Sequence, residues 1–470
     1  VAATASGAGK TTVTLGLLKA FRELGYRLSS AKAGPDFIDP RFHEGICRRS
    51  CLTLDSWAMR PEVLDSLVIE LSSDSDLCVV EGVMGLFDGA ANGRGSTAEL
   101  AKQLGLPIIL IIDVRRQAQS AAAILKGFST YDPECPITGV ILNGIASDRH
   151  EYLLRQAIEP LAIPVLGALR YRSELGLPSR HLGLVQASEH EDFETFGNAA
   201  GAFITEKIDL NTLSDLAMPL TQSLCPGQPE PDTFGLRPLG QVIAVAQDAA
   251  FEFYYPHILR KWQAAGAEII PFSPLADNPP SPHADAVYLP GGYPELYAAQ
   301  LSSSSNFLNG LSQAAENDCL IYGECGGYMV LGDYLVDGRG EKFRMAGLLP
   351  VSTSLSPPRR QLGYRRLSHD SPLPWGRHLR GHEFHYASII DKSADPCQDK
   401  TTGLFEAEDV EGQSLGKLGH RRGRVMGSFA HIIDQEHDDG GNASGQSRSP
   451  DRSVLSGQRQ FKLKQGDPGP

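Results

Sequence analysis

The stretch Cys319-Leu320-Ile321-Tyr322-Gly323-Glu324-Cys325-Gly326-Gly327-Tyr328 admits few backbone paths. A short apolar run enters a Gly-x-Cys-x-Gly turn, and Tyr328-Met329-Val330-Leu331 leaves it as a helix start. Strand, sharp turn, helix is the geometry that lifts a nucleophile from the end of a sheet, with glycines on both sides so that other backbone can approach. Such a turn aims the sulfur outward, and the helix start favours a thiolate. Taken alone, the same residues also describe a buried cysteine between turn glycines.

At 470 residues the chain exceeds what one core organises, so two or three domains are expected. Its 49 glycines suit an α/β protein with many tight loops. A formal charge of -13 argues against nucleic acid as a partner, although a local basic patch could still take anions. The eight cysteines are scattered and form no CxxC pair, which points away from a zinc site or disulfide framework and toward a reducing cytoplasm. No apolar run reaches the ~18 residues of a membrane span, so no membrane is expected as a partner. Val1 already reads as part of a strand end, which implies a few residues before it, and no signal peptide is legible.

Val1 to Thr12 reads as strand, loop and helix start, with Gly9-Lys10-Thr11 at the core of a phosphate-binding loop. Backbone N–H groups from Gly7 to Lys10 can wrap a β-phosphate, Lys10 can reach the β/γ oxygens, and the Thr11 hydroxyl can ligate Mg²⁺. Thr4 stands where the strict pattern has glycine, so the loop is a variant. Val13, Leu17, Phe21 and Leu24 continue at helical spacing. In the loop Lys32 to Pro40, Asp36 and Asp39 suit Mg²⁺ or a substrate, but the simpler explanation of aspartates framed by Gly and Pro is turn chemistry. Glu81 closes an apolar strand, the place for a second Mg²⁺ ligand in a nucleotide-binding sheet. Further strands at 107–112 and 137–142 end in Asp113 and Asn143, and helical stretches around 96–105, 116–128 and 149–161 separate or follow them. That alternation is the pattern of a doubly wound parallel sheet.

Another strand is expected at 164–169. Arg180-His181 could hold an anionic substrate or lie in a surface loop. Residues 190–217 look helical, and 225–238, rich in Pro, Gly and Gln, read as an interdomain linker. A second α/β pattern restarts at Val242. Its strand at 286–289 runs into Pro290-Gly291-Gly292, whose exposed N–H groups make Gly291 and Gly292 a candidate oxyanion loop ahead of the Cys325 turn. Residues 357–385 carry six arginines and four histidines interleaved with aromatics, which could grip a flat polycarboxylate or form a solvated loop. His431, after the run Val425-Met426, could be the base that deprotonates Cys325. Beyond Asp434 the periodicity ends and a disordered tail is expected.

In this order the motifs resemble the hydrogenobyrinic acid (or cobyrinic acid) a,c-diamide synthase family, glutamine-dependent amidotransferases of vitamin B12 synthesis. The resemblance covers about 1–433 and rests on SGAGKTT, KAGPDFIDPRFH, LDSWAM, VEGVMGLFDG, DVRRQAQSAAA, RHLGLVQA, LPGGYPEL, YGECGGYM, GHEFHY and GSFAH. It implies a first domain similar to dethiobiotin synthetase, which activates a carboxylate with ATP and Mg²⁺. By motif, Gly7, Gly9, Lys10, Thr11 and Thr12 would serve the nucleotide, Thr11, Glu81 and Asp36 a metal, and Asn143 the adenine. The second domain is similar to class I glutaminases of the cobyric acid synthase type, with Cys325 as nucleophile and His431 as its activator. Ordinary class I glutaminases have an acid two residues after the histidine; here Ile432-Ile433 follow, as in that subgroup. Thr53 and Ser56 also depart from the common Asn-Leu-Asp-Pro-Trp form, and 434–470 has no counterpart in the family, as a frameshifted or read-through end would lack one.

The expected fold class is α/β, an N-terminal doubly wound phosphate-loop domain and a C-terminal class I glutamine amidotransferase-like domain. The boundaries expected are 1–195 for the ATP-dependent part, 196–239 for a connecting helix and linker, 240–433 for the glutaminase, and 434–470 for the tail. The implied partners are L-glutamine and a tetrapyrrole (corrin) polycarboxylate, with ATP and Mg²⁺, and the implied reaction amidates the a and c acetate side chains. A homodimer is compatible with the resemblance. Whether the corrin holds cobalt stays open, as does amidation of other corrin side chains in the manner of cobyric acid synthase. A partition-type ATPase switch resembles only the first half and has no use for Cys325, Gly291-Gly292 or His431.

Overall fold

In the computed structural model every strand pair of the first lobe's sheet is parallel. Leu52–Leu54, Leu28–Ala33 and Leu77–Glu81 form one run, and Ala2–Ala3, Ile108–Asp113, Ile137–Ile145 and Val165–Arg170 form another. Val1 joins the two, since its ammonium donates to Val80 O at 2.7 Å and its carbonyl accepts from Gly82 N at 2.8 Å. The strands are short and largely buried because helices cover both faces of such a sheet. Their polar ends, Glu81, Asp113 and Asn143, fall at the carboxyl edge beside the turn that follows the first strand.

The helix Lys10–Glu23 leaves that turn with Val13, Leu17 and Phe21 buried along one face. Phe193–Lys207 packs against it, and two glycines make the close approach possible. A Cβ on Gly16 would lie 2.5 Å from Ile204 Cγ1, and one on Gly201 would lie 2.5 Å from Lys19 Cγ. Phe196, Ala200, Phe203 and Ile204 thereby enter the first lobe's core, so this helix is part of that lobe and not a connector. The residues described are 1–176, 192–219, 235–391 and 402–436, with Ser179–Arg180 and Gly183–Leu184 described as backbone only. Arg180-His181 as an anion site, most of the 225–238 linker, and the tail beyond Glu436 lie outside the described residues.

The second lobe has a six-stranded sheet ordered Glu268–Phe272, Val242–Ala246, Ala286–Leu289, Leu320–Glu324, Val425–Ser428 and His420–Arg422. Its pairs are parallel except the last. A five-stranded antiparallel sheet stands beside it: Ser414–Leu418, Phe405–Glu408, Gln361–Ser368, His378–His385 and Ala430–Gln435. The chain passes from one sheet to the other at Phe429, two residues before His431. The arginine-rich segment is therefore a hairpin of this second sheet, not a loop. Several of its charges are matched locally. Arg365 binds Glu383 at 2.7 Å, and Arg366 and Arg380 both bind Glu436 at 3.1 Å. Tyr364 and Trp375 are core residues.

One hydrophobic core runs through both lobes. It unites Leu52, Trp57 and Leu64 of the first with Tyr255, Trp262, Tyr288 and Tyr364 of the second, and Val1–His437 forms one compact unit. Trp57 stacks on Tyr364 at 4.5 Å, and the Tyr364 hydroxyl donates to Asp55 Oδ2 at 2.9 Å. Arg60 grips Asp434 with two guanidinium bonds of 2.9 and 3.0 Å and a backbone N–H at 2.9 Å. Asp434 and Glu436 thus belong to the fold, which moves the expected boundary at 433 outward. Among the described residues no helix is long and apolar enough to cross a membrane, and Cys47, Cys51, Cys78, Cys135, Cys319 and Cys325 are free thiols.

Asp434 is 1% exposed, so Arg60→Ala would leave a buried carboxylate without its cation. The expected cost is about 3–5 kcal/mol of unfolding free energy, read from the denaturant midpoint. An unchanged midpoint would show that the pair does not hold the lobes together.

Candidate active site

The phosphate loop is preformed. Gly7 (φ 78°) and Gly9 (φ 87°) take left-handed conformations that a side chain would strain. Gly9 has a second reason, since a Cβ there would meet Asn143 Nδ2 at 2.3 Å. Asn143 donates to Ala8 O at 2.9 Å and so braces the loop. With Gly7, Gly9 and Thr12 it also lines a cavity of about 160 Å³ beside the loop.

Thr11 Oγ1 donates to Glu81 Oε1 at 2.8 Å, and Asp39 Oδ2 lies 3.3 Å from the same hydroxyl. Asp36 does not join them. Its Oδ1 accepts from the backbone N–H groups of Ile38 and Asp39 at 2.8 and 3.1 Å, which is turn chemistry, and its Oδ2 stands 3.9 Å from Lys32 Nζ. Asp39, three residues further on, is the aspartate whose carboxylate reaches the Thr11 hydroxyl. Hydroxyl and carboxylate oxygens are the donors Mg²⁺ takes. No cluster of three or more acidic, His or Cys side chains that could hold a metal is present among the described residues.

Lys32 sits at the centre of this group, 2.5 Å from Asp39 and 3.0 Å from Glu81. Burial would lower its pKa, but Glu81, Asp39 and Asp36 outweigh it and hold the ammonium charged. Glu81 is fully buried; Lys32 and then His43, 2.7 Å away, hold its carboxyl well below the usual range. Asp39 is pushed up to about 6 by burial and by Asp36. Sequence reasoning passed over Lys32, His43 and Glu324. A charge inside the buried strand Leu28–Ala33 was the available signal for the first.

At the second site Cys325 has φ 46° and ψ −104° between the strand Leu320–Glu324 and the helix Gly326–Leu331. The strained turn expected from the sequence is present, and the Cys325 N–H donates to Ser428 O at 2.8 Å. The thiolate is not favoured at rest. Burial pushes the thiol well up, the Glu295 carboxylate adds to that, and only the Gly326 N–H opposes them. A helix start of six residues does not offset desolvation, so the proton must leave through a base.

His431 lies close by. A Cβ added to Gly291 would lie 2.3 Å from His431 Cε1, 3.1 Å from Nε2 and 3.3 Å from Cys325 Cβ, so thiol and imidazole flank one small space. Gly291 is needed for that space, but its N–H is not an oxyanion donor, because it donates to Phe253 O at 3.2 Å. Gly292 N lies 3.0 Å from where a Cβ of Gly326, the residue after Cys325, would stand.

One cavity of about 670 Å³ lies between the lobes. Asp36, Phe37, Asp39 and Met84 line it from the first lobe, and His382 and His431 from the second. Met84 O accepts from Lys10 Nζ at 2.7 Å, so the phosphate loop touches the cavity wall. Phe37 packs on the His431 ring at 4.6 Å.

Residues 1–185 match the family model of the CobQ/CobB/MinD/ParA nucleotide binding domain, and 242–438 match that of the CobB/CobQ-like glutamine amidotransferase domain. A hydrogenobyrinate a,c-diamide synthase of Sinorhizobium sp is 48% identical over 92% of this chain and 98% of its own. The chain belongs to the hydrogenobyrinate a,c-diamide synthase family. Namesakes from Rhizobium meliloti (47%) and Brucella anthropi (48%) align over the same 92% of the chain and 98% of theirs. The expected α/β fold class stands, a nucleotide-binding domain followed by a glutamine amidotransferase domain.

Burial, with Lys32 adding to it, lowers Lys10 to about 8 from 10.5. A bound phosphate favours the charged form, so above pH about 8 nucleotide binding should take up a proton. Affinity should then fall by up to about tenfold per pH unit toward 10.5. Calorimetry in buffers of different ionisation enthalpy reads the uptake. A pH-independent affinity in that window would contradict it.

Proposed function

We propose that this enzyme uses ATP and glutamine to convert the a and c acetate carboxylates of hydrogenobyrinate to amides, with nitrogen released in the second lobe and consumed in the first. The observation that carries this is the shared cavity, which both His431 and the Asp36–Asp39 loop line. Its apolar rim suits a flat macrocycle. Met84, Leu362 and Leu415 line it and are 41%, 51% and 47% exposed. Its volume falls within the range of small-molecule sites.

In the second lobe the Cys325 proton passes to His431 Nε2 as sulfur attacks the glutamine carboxamide. The Gly292 and Gly326 N–H groups stabilise the oxyanion. The imidazolium returns the proton to the departing ammonia, and water then releases glutamate from the thioester. In the first lobe the corrin carboxylate takes the γ-phosphoryl group of ATP, giving ADP and an acyl phosphate. Lys10 and the loop N–H groups hold the phosphate charge in place. Thr11, Glu81 and Asp39 would hold Mg²⁺, which when bound neutralises developing phosphate charge. Ammonia displaces phosphate from the acyl phosphate to form the amide. Two rounds make the diamide.

Cys325→Ser should abolish glutamine-driven amidation, a loss of at least about 10³-fold, and leave the ammonia-driven reaction intact. Lys10→Ala should lose both. Mass spectrometry of corrin products made with ATP, Mg²⁺ and each nitrogen source reads the outcome. A product with four new amides, or Cys325→Ser that loses both activities while folded, would overturn the reading.

A further inference from the structure

An acid two residues after the histidine is missing here, because Ile432 and Ile433 are apolar and buried. A carboxylate nonetheless lies at the ring. Glu324 Oε2 is 3.6 Å from His431 Nδ1, and that Nδ1 is buried without a hydrogen-bond partner. Glu324 is 3% exposed and is the last residue of the central strand Leu320–Glu324, beside the core tyrosines Tyr288 and Tyr322. Burying an acid in such a place costs stability unless it is bonded, and an apolar residue would pack there without that cost. Two bonds hold it. Tyr288 donates to Oε2 at 2.8 Å, and Ile432 N donates to Oε1 at 3.0 Å. The second ties the carboxylate to the residue next to His431, so acid and imidazole are located by one backbone.

The opposite edge of the ring, Cε1 and Nε2, faces the space beside Gly291 and Cys325. We propose that Glu324 is the third member of the glutaminase set, a positioning residue that accepts the Nδ1 proton of His431 and leaves the Nε2 lone pair for the Cys325 thiol. The separation of 3.6 Å closes to a hydrogen bond by a small rotation, as catalytic contacts often do when substrate binds. The carboxylate then balances the imidazolium formed when Nε2 takes the thiol proton. His382, opposite His431 in the strand pair, and Arg365 and Glu383 behind it are the other titratable groups nearby. Arg365 and Glu383 are bound to each other.

This inference rests on the glutaminase reading, and its test separates the two. Glu324→Gln should lower kcat/KM for glutamine by about 10²–10⁴-fold while amidation driven by ammonium stays at the wild-type rate. In a His431→Ala background, Glu324→Gln should cost almost nothing further, because groups acting as a unit are not additive. Unimpaired glutamine use overturns the proposal, and so do fully additive losses. If Glu324→Gln also loses the ammonium reaction, and so has not folded, Glu324→Asp takes the same test with the same criteria. A wild-type chain that hydrolyses no glutamine refutes the glutaminase reading itself.

Discussion

The packing of the two lobes into one core is the constraint on which the rest depends. Trp57, Tyr364, Tyr255 and Trp262 are shared interior, and the Arg60–Asp434 pair, with Asp434 buried, also ties the lobes. Sliding one lobe past the other would expose that interior and strand two charges. The loop that ends in Asp39 is consequently fixed against the strand that bears His431. Phe37 expresses this most directly. Its ring lies 5.4 Å from Phe253, 4.6 Å from Tyr255 and 4.6 Å from His431, while Asp36 and Asp39 on either side of it face Lys32.

Both sites keep their reactive groups in a resting state of charge. Lys32 sits among Asp36, Asp39 and Glu81, so the carboxylates are neutralised before any metal or phosphate arrives. Cys325 stays a thiol because burial and Glu295 oppose the thiolate. The His431 ring is touched by Phe37 from the nucleotide lobe.

What was legible in the sequence was local. The Cys325 turn, the phosphate loop and the polar ends of parallel strands are each set by a few neighbouring residues and by hydrophobic period. What was not legible depends on register and on distant partners. Asp36 and Asp39 are indistinguishable by spacing, and only the start of the helix Asp39–Cys47 turns the second toward Thr11. Gly291 looks as free as Gly292 until Phe253 is found bridging it. The arginines of 357–385 read as an open basic patch because Glu383 and Glu436, which match Arg365, Arg366 and Arg380, come from the facing strand and from the end of the fold. Glu324 adjoins Cys325 in sequence, yet its relation to His431 arises from a change of sheet at Phe429.

Nitrogen released in one lobe and consumed in the other through the shared cavity should mix little with bulk solvent. Amidation with heavy-nitrogen amide glutamine in a large excess of unlabelled ammonium, at a pH where most of it is protonated, measures this directly. Both new amides of the corrin should carry the heavy isotope almost entirely. Amides labelled only in proportion to the mixed pool would mean that ammonia leaves the protein between the two sites, and the cavity would not be its route.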